Sequence, residues 1–187
     1  MSFRLYKRNQ KSYILSLFSL VFIFLLSCNI PEDSFENPLD LDANAAKGIF
    51  PPALVFSSDS LDVIYGESFT VDLYALEIDS VAGAQIEIEY FASSIAIDSV
   101  NKGDFFQGDN DPIFIVEDAN GKLTIYVTYL GTDKLNVSGT GVIASVSFRS
   151  IIQGVTFVKV SASSILLDQN ANPIEIKGLG QAKINAK

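Results

Sequence analysis

Residues 84–90 of this chain read Ala84-Gln85-Ile86-Glu87-Ile88-Glu89-Tyr90, an unbroken alternation of apolar and polar side chains. Successive side chains of a β-strand point to opposite faces of its sheet, so this alternation predicts a strand with one buried and one solvent-facing side. The same period of two recurs in residues 69–75, 123–129 and 142–148. No stretch shows a convincing helical period over three turns. The chain is therefore predicted to be all-β.

The breaks between these stretches have the composition of tight turns. The tetrapeptide Asp118-Ala119-Asn120-Gly121 separates two strand-like runs and predicts a hairpin, because Asn and Gly readily adopt positive φ angles. Residues 168–172 predict a second turn. Their oxygen-bearing side chains resemble the start of a calcium loop, but Pro173 stands where such a loop needs glycine, so a plain hairpin turn is favoured. Short strands separated by turns at this spacing predict a two-sheet antiparallel β-sandwich.

The first 27 residues have the composition of a secretory leader. Residues 1–11 are basic and hold no acid, and residues 14–26 are apolar apart from two serines. This apolar run is shorter than the roughly 20 residues that a spanning helix needs. It ends at Leu25-Leu26-Ser27-Cys28, so the order of segments predicts a signal peptide over 1–27. A membrane-anchor helix with an incidental cysteine is the alternative.

The Leu-Leu-Ser-Cys string resembles the bacterial lipobox. The resemblance implies cleavage before Cys28 and lipidation of its thiol, the only thiol in the chain. No Asp follows Cys28 directly, so nothing indicates retention in an inner membrane, and the acids at 32 and 33 resemble surface-export signals. We therefore expect a lipid anchor in the outer membrane of a bacterial envelope, with membrane contact through that anchor only and with exposure at the cell surface as a further expectation.

Residues 29–52 show no apolar period and contain four prolines among acidic and amide side chains. This composition is typical of a linker. The predicted organisation is a signal peptide over 1–27, a lipidated cysteine with a flexible tether over 28–52, and one β domain over 53–187.

Composition excludes several classes of function. The formal charge is −9, and after the leader the chain holds nine basic and 22 acidic residues, a net charge near −13. Such a surface repels nucleic acids. The chain has no His, the usual general base and zinc ligand, and no Gly-rich phosphate loop. Glu87 and Glu89 share one strand face and do not make the cleft of a glycosidase. We expect no catalysis, no cofactor and no bound metal.

Several strings resemble the cohesin family, in the family's order. The most specific is Gly139-Thr140-Gly141-Val142-Ile143-Ala144-Ser145-Val146-Ser147-Phe148, and Gly66-Glu67-Ser68-Phe69-Thr70-Val71 is similar to the opening strand. Residues 81–90, 100–105 and 166–174 carry the rest of the match, which covers about residues 55–186. The resemblance implies a jelly-roll sandwich of about nine strands. Phe91-Ala92 departs from the Asp or Asn and Pro that cohesins usually carry there.

The resemblance also implies a binding face. Cohesins dock a dockerin module in polysaccharide-degrading assemblies, and relatives of the family serve in other adhesion. We expect three strands to present this face, although Val142 and Ile143 leave the parity of the last one ambiguous. The side chains that parity directs outward, and that we predict to meet a partner, are Gln85, Glu87, Glu89, Thr124, Tyr126, Thr128, Ile143, Ser145 and Ser147.

Three functions remain open at this point. The first is a surface lipoprotein that docks a dockerin-like protein in polysaccharide binding or breakdown. The second is direct binding of a polysaccharide, for which Tyr65, Tyr74 and Tyr126 would have to serve because the chain has no Trp. The third is a structural or adhesion lipoprotein without a dockerin ligand, in which the acidic face is an ordinary solvated sheet surface.

Overall fold

The computed structural model describes residues 37–107, 111–130 and 136–187, which form one short helix and twelve strands. The predicted signal peptide, Cys28 and the first part of the predicted tether lie outside the described residues. The helix α1 spans Leu41–Ala46. The strands are β1 Ala53–Phe56, β2 Ser60–Val63, β3 Ser68–Tyr90, β4 Ile95–Lys102, β5 Ile113–Asp118, β6 Lys122–Thr128, β7 Val137–Ser150, β8 Gly154–Val160, β9 Ile165–Asp168, β10 Pro173–Ile174, β11 Gly178–Leu179 and β12 Gln181–Ala186.

The central element is β3, which unites two stretches that the sequence suggested as separate strands. A straight strand would hold Phe69 and Tyr90 roughly 70 Å apart. Yet both rings pack on Phe148, with ring centroids 5.8 and 5.9 Å away. The strand must therefore fold back on itself. It does so around Glu77 and Ser80, whose φ angles of 47° and 56° interrupt the extended backbone and shift the pairing register with β7.

The two halves of β3 belong to two opposing layers. The first half pairs with β1 and β7, β7 pairs with β4, and β11 joins β1. The second half pairs with β6 on one side and with β8 and β9 on the other; β5, β12, β2 and β10 extend this layer. Most pairs are antiparallel, and only β1–β11 and β2–β12 among the described pairs are parallel. The predicted all-β class is confirmed, with more strands than the nine expected.

A single hydrophobic cluster fills the space between the layers, as the period of two predicts. The second half of β3 contributes Ile86 and Ile88, both fully buried, and its polar residues between them point away. Phe148 of β7 lies at the centre, against Phe69 and Tyr90. Because inward side chains of every long strand meet here, the two sheets are held chiefly by burial of apolar area.

The prediction of a flexible tether over 28–52 is wrong for the described residues 37–52. The Asp40 carboxylate accepts hydrogen bonds from the backbone N–H groups of Asp42 and Ala43 and so caps α1. Leu39 and Ile49 pack against a second cluster formed by Ala53, Val55 and Leu76. All four residues of β1 are buried because the main core covers one face and this segment covers the other. The proline-rich composition hid these few apolar contacts.

Both predicted hairpin turns are confirmed. Asn120 and Gly121 have φ angles of 51° and 111° and reverse the chain between β5 and β6. Asp168 ends β9, and its carboxylate accepts hydrogen bonds from the backbone N–H of Asn170 at 2.7 Å and of Asn172 at 2.8 Å. The chain then pairs back as β10. The Asp168 carboxylate therefore stabilises a hairpin turn at this place.

Candidate functional site

A row of side chains, three of them apolar, crosses four neighbouring strands on the outer face of the second sheet. Ile115 of β5 lies opposite Tyr126 of β6, which lies opposite Gln85 of β3, which lies opposite Ile165 of β9. Ile115 is 51% exposed and Ile165 is 44% exposed, while Tyr126 is half-buried. We call these four residues the apolar row. With strands about 4.8 Å apart, the row is roughly 14 Å long.

The neighbouring positions toward the bend of β3 keep this surface flat. Gly83 lies opposite Thr128 on β6 and opposite Leu167 on β9. A Cβ at Gly83 would approach Thr128 Oγ1 at 3.3 Å, so glycine lets the threonine lie over the strand. Ile113 and Leu167 are partly exposed at the two sides. The surface is therefore a shallow apolar plateau, without the walls of a cleft.

The carboxylates beside the apolar row are already paired within the chain. Lys122 Nζ lies 3.3 Å from Glu87 Oε1, and Lys159 Nζ lies 2.9 Å from Glu89 Oε2. Ser161 also donates a hydrogen bond to Glu89, at 2.9 Å. The hydrogen bond from Lys159, helped by the one from Ser161, holds the pKa of Glu89 below its usual value. Glu87 and Glu89 on this border are therefore each matched by a lysine of the same chain.

Six of the nine predicted contact residues lie on this sheet face. Gln85 and Tyr126 belong to the apolar row, Glu87 and Glu89 to the paired border, and Thr128 is exposed beside Gly83. Thr124 lies on the same face but is only 5% exposed. It is in register between Glu87 on β3 and Glu117 on β5, so its exposure was overestimated by parity alone.

The other three predicted residues do not belong to this face, and their placement there is a correction. Ser145 and Ser147 lie on β7 in the first sheet, opposite Asp72 and Thr70 of the first half of β3. Because the two halves of β3 lie in opposing layers, the outward sides of the two sheets point in opposite directions. Ser145 Oγ donates a hydrogen bond to Asp72 at 2.6 Å. These serines therefore cannot share a partner-binding plane with Tyr126.

Ile143 is buried in the core, at 1% exposure, where parity predicted an exposed side chain. The cause is a β-bulge in β7. Leu73 lies opposite Ala144, while the next residue, Tyr74, lies opposite Val142, so Ile143 is an extra residue without a partner on β3. An extra residue reverses the alternation beyond it. The adjacent Val142 and Ile143 were the only sign of this in the sequence.

Comparison with known protein families shows which family has this fold. The model of the cohesin domain matches residues 56–185. The chain belongs to the cohesin domain family. Among solved structures, the non-cellulosomal cohesin of the archaeon Archaeoglobus fulgidus superposes with a TM-score of 0.60 at 14% identity, over 72% of this chain and 91% of that one. A type II cohesin domain from the cellulosome of Acetivibrio cellulolyticus gives 0.62 at 16% identity, over 71% and 94%.

A third structure similar to this cohesin domain was solved with a partner. The sixth cohesin of scaffoldin B of Acetivibrio cellulolyticus, in complex with a mutant of the Cel5 dockerin, has a TM-score of 0.59 at 21% identity. The match covers 72% of this chain and 98% of that one. At these identities the likeness shows the fold alone. The comparison with curated proteins gave no match.

Sequence reasoning missed the two ends of the apolar row in this cohesin domain. Ile115 lies in the run Ile113-Phe114-Ile115-Val116, and Ile165 lies in Ile165-Leu166-Leu167. Runs of consecutive apolar residues have no alternation from which a solvent-facing side could be read. Their outward direction became clear only from the strand pairing.

The three tyrosines considered for sugar binding do not form one platform. Tyr126 lies on the second sheet, whereas Tyr74 lies on the first and packs against the cluster under α1, where burial raises the pKa of its hydroxyl. Tyr65 lies in the connection between β2 and β3 and is 51% exposed. Within the described residues no three His, Cys, Asp or Glu side chains group as metal ligands, and no helix is both long and apolar enough to cross a membrane.

Proposed function

We propose that this cohesin domain is a non-catalytic docking module that binds a dockerin-like protein through the apolar row and its paired border. The observation that carries the proposal is the flat row across four strands, in which Ile115 and Ile165 are exposed, Tyr126 is half-buried and Gln85 is the polar member. Exposed apolar surface at the centre of a polar border is typical of protein interfaces, and aromatic side chains at such centres contribute most of the binding energy. Membership of the cohesin family and a dockerin-bound structural neighbour support the same partner class.

The position of the charges suggests how this interface would work. Glu87 and Glu89 are neutralised by Lys122 and Lys159, so a partner does not have to supply cations to compensate them. Affinity then depends mainly on desolvating Ile115, Tyr126 and Ile165, and the ion pairs at the border contribute to orientation.

We also propose that the domain is displayed on the bacterial outer membrane by lipid on Cys28, in the service of polysaccharide binding or breakdown. The Leu25-Leu26-Ser27-Cys28 string supports the anchor. The cellulosomal origin of one structural neighbour supports the link to polysaccharides. Intact mass measurement of the protein from its native membrane should show a chain that begins at Cys28 and carries acyl groups. An unmodified Cys28 with the leader attached would remove this part of the proposal.

The docking proposal can be tested with residues 36–187, a compact unit that contains both hydrophobic clusters. Purified dockerin modules of the same organism would be titrated into this fragment by calorimetry. We expect Tyr126→Ala to weaken binding by roughly thirtyfold, as for a central aromatic contact. The control is Ser147→Ala, on the opposite sheet, which should leave the affinity unchanged. If no dockerin module binds, or if both variants lose affinity equally, the outer face of the second sheet is not the docking site.

A further inference from the structure

A second exposed apolar surface lies at one end of the sandwich, far from the apolar row. Three connections meet there: residues 64–67 between β2 and β3, 91–94 between β3 and β4, and 151–153 between β7 and β8. We call this surface the loop end, and it includes Val155 at the start of β8. Six large apolar side chains are exposed on it: Ile64 (61%), Tyr65 (51%), Phe91 (60%), Ile151 (39%), Ile152 (50%) and Val155 (54%).

Hydrogen bonds join the three connections into one surface. The backbone N–H of Gly66 donates to the carbonyl of Ser150 at 3.1 Å, and the N–H of Ile151 donates to the carbonyl of Ser94 at 3.0 Å. The N–H of Tyr65 donates to the carbonyl of Lys187 at 3.0 Å, which ties the end of β12 to the same place. The six side chains are therefore held by a common framework and do not belong to independent loops.

The loop end also lacks the polar character of the rest of the surface. Glu67 is the only charged residue in its three connections, although the chain after the leader carries a net charge near −13. The flanking charges are paired: Arg149 lies 3.1 Å from Asp98, and Lys187 lies 2.6 Å from Asp62. Together with the backbone hydrogen bonds above, this lowers the cost of moving the loop end out of water, because few polar groups would lose a partner.

The shape of the loop end favours a lipid surface over a protein partner. The recess between Ser94, Ile152 and Thr156 holds only about 20 Å³, room for a single water, so the six side chains project from the surface and do not line a groove. Apolar side chains that project from connections, with aromatic rings among them, suit the boundary between lipid headgroups and acyl chains. The acidic charge of the domain opposes anionic headgroups.

We propose that the loop end inserts its apolar side chains into the interface of a zwitterionic lipid bilayer. This contact is separate from the proposed docking function, because side chains of the apolar row stand perpendicular to the sheet whereas the loop end extends along the strands. The row crosses β3 at Gln85, five residues or roughly 16 Å before Tyr90. A domain resting on a membrane by its loop end thus keeps its docking face open to the side.

The test uses residues 36–187, which lack Cys28 and the leader, so that any membrane binding comes from the folded domain. Flotation with phosphatidylcholine vesicles measures the bound fraction, and vesicles containing half phosphatidylglycerol measure the effect of headgroup charge. The variant Ile64→Ser/Ile152→Ser should reduce the partition coefficient roughly tenfold. The control, Ile115→Ser/Ile165→Ser, replaces two isoleucines of the apolar row that are 51% and 44% exposed, and this variant should bind vesicles as the parent does.

A fluorescence reporter gives an independent readout, because the chain contains no Trp. Phe91→Trp should shift its emission to the blue when phosphatidylcholine vesicles are added. The proposal is overturned if the fragment does not float, if both double variants lose binding equally, or if anionic vesicles bind more tightly. It is also overturned if the fragment forms dimers that depend on Ile64 and Ile152, since a second copy would then cover the loop end.

Discussion

Tyr90 connects the core of the sandwich to the turn between β5 and β6. Its ring packs on Phe148 of the opposite sheet, and its hydroxyl donates a hydrogen bond to Asp118 Oδ1 at 2.6 Å, at the turn between β5 and β6. Its backbone N–H donates to the carbonyl of Gly121 in the same turn, at 2.9 Å. Burial, and then the hydrogen bond to Asp118, raise the pKa of Tyr90 to about 12. One side chain thus couples the core to a hairpin.

We expect Tyr90→Phe to lower the free energy of unfolding by about 1–2 kcal/mol at neutral pH, because Asp118 loses a hydrogen-bond donor. Tyr90 ionises at about 10 in the unfolded chain and at about 12 in the folded one. The stability from this raised pKa is complete below pH 10 and is lost as the pH rises toward 12. The difference between parent and variant, measured by urea unfolding of residues 36–187, should therefore shrink over that range.

The substitution Tyr126→Phe is the control for loss of a phenolic hydroxyl on the sheet surface. A difference between the parent and Tyr90→Phe that stays constant from pH 7 to strongly alkaline conditions would contradict the role assigned to Tyr90.

At the scale of single elements, irregularities in β3 and β7 decide which sheet a segment joins and which of its side chains are buried. The bend of β3 at Glu77 and Ser80 sends one strand through both sheets. The bulge in β7 turns Ile143 inward and leaves Ser145 and Ser147 on the outside of the first sheet. Local irregularities of this kind change the direction of every side chain that follows.

The bulge gives a direct test at Ile143. Because this side chain is fully buried in the main cluster, Ile143→Ala should lower the free energy of unfolding by about 2–4 kcal/mol. The same substitution at Ile115, which is half-exposed on β5, should cost less than about 0.5 kcal/mol. Urea denaturation of the two variants measures both values. Equal and small losses would mean that Ile143 faces solvent and that the bulge is misplaced.

At the scale of the whole molecule, residues 37–52 form a cover for the first sheet. Leu39 and Ile49 pack over Ala53, Val55 and Leu76. Asn44, a buried residue of α1, donates a hydrogen bond from its side chain to the carbonyl of Pro38 at 2.8 Å. Lys47 pairs with Asp59, between β1 and β2. The folded domain therefore extends beyond the strands that sequence patterns identify.

Removing this cover should destabilise the domain. We expect a fragment of residues 53–187 to unfold at a lower urea concentration than residues 36–187, with a loss of about 2 kcal/mol, because two partly buried apolar side chains leave and three buried ones gain contact with water. Residues 36–187 with both Leu39→Ser and Ile49→Ser should show the same loss in free energy of unfolding as the shorter fragment. Identical unfolding of the long and short fragments would show that the segment contributes nothing to stability.

Much of this architecture could be read from local patterns. Alternation around Ile86, Ile125 and Val146 is a property of neighbouring residues, and so is the turn chemistry at Asn120 and Gly121, so the strands and hairpins followed from the sequence. The outward direction of Gln85, Glu87, Glu89 and Tyr126 followed in the same way, since each lies in a regular strand.

Other features depend on residues far apart in the chain, and these required the tertiary structure. The folding back of β3, the inward turn of Ile143 and the packing of Leu39 and Ile49 on β1 each rest on contacts that no local window contains. The apolar row and the loop end are each assembled from three or four separate segments. The composition of one segment alone does not indicate which surface it joins. Alternation reports only the environment of adjacent side chains, whereas the identity of a surface depends on which strands pair and in what register.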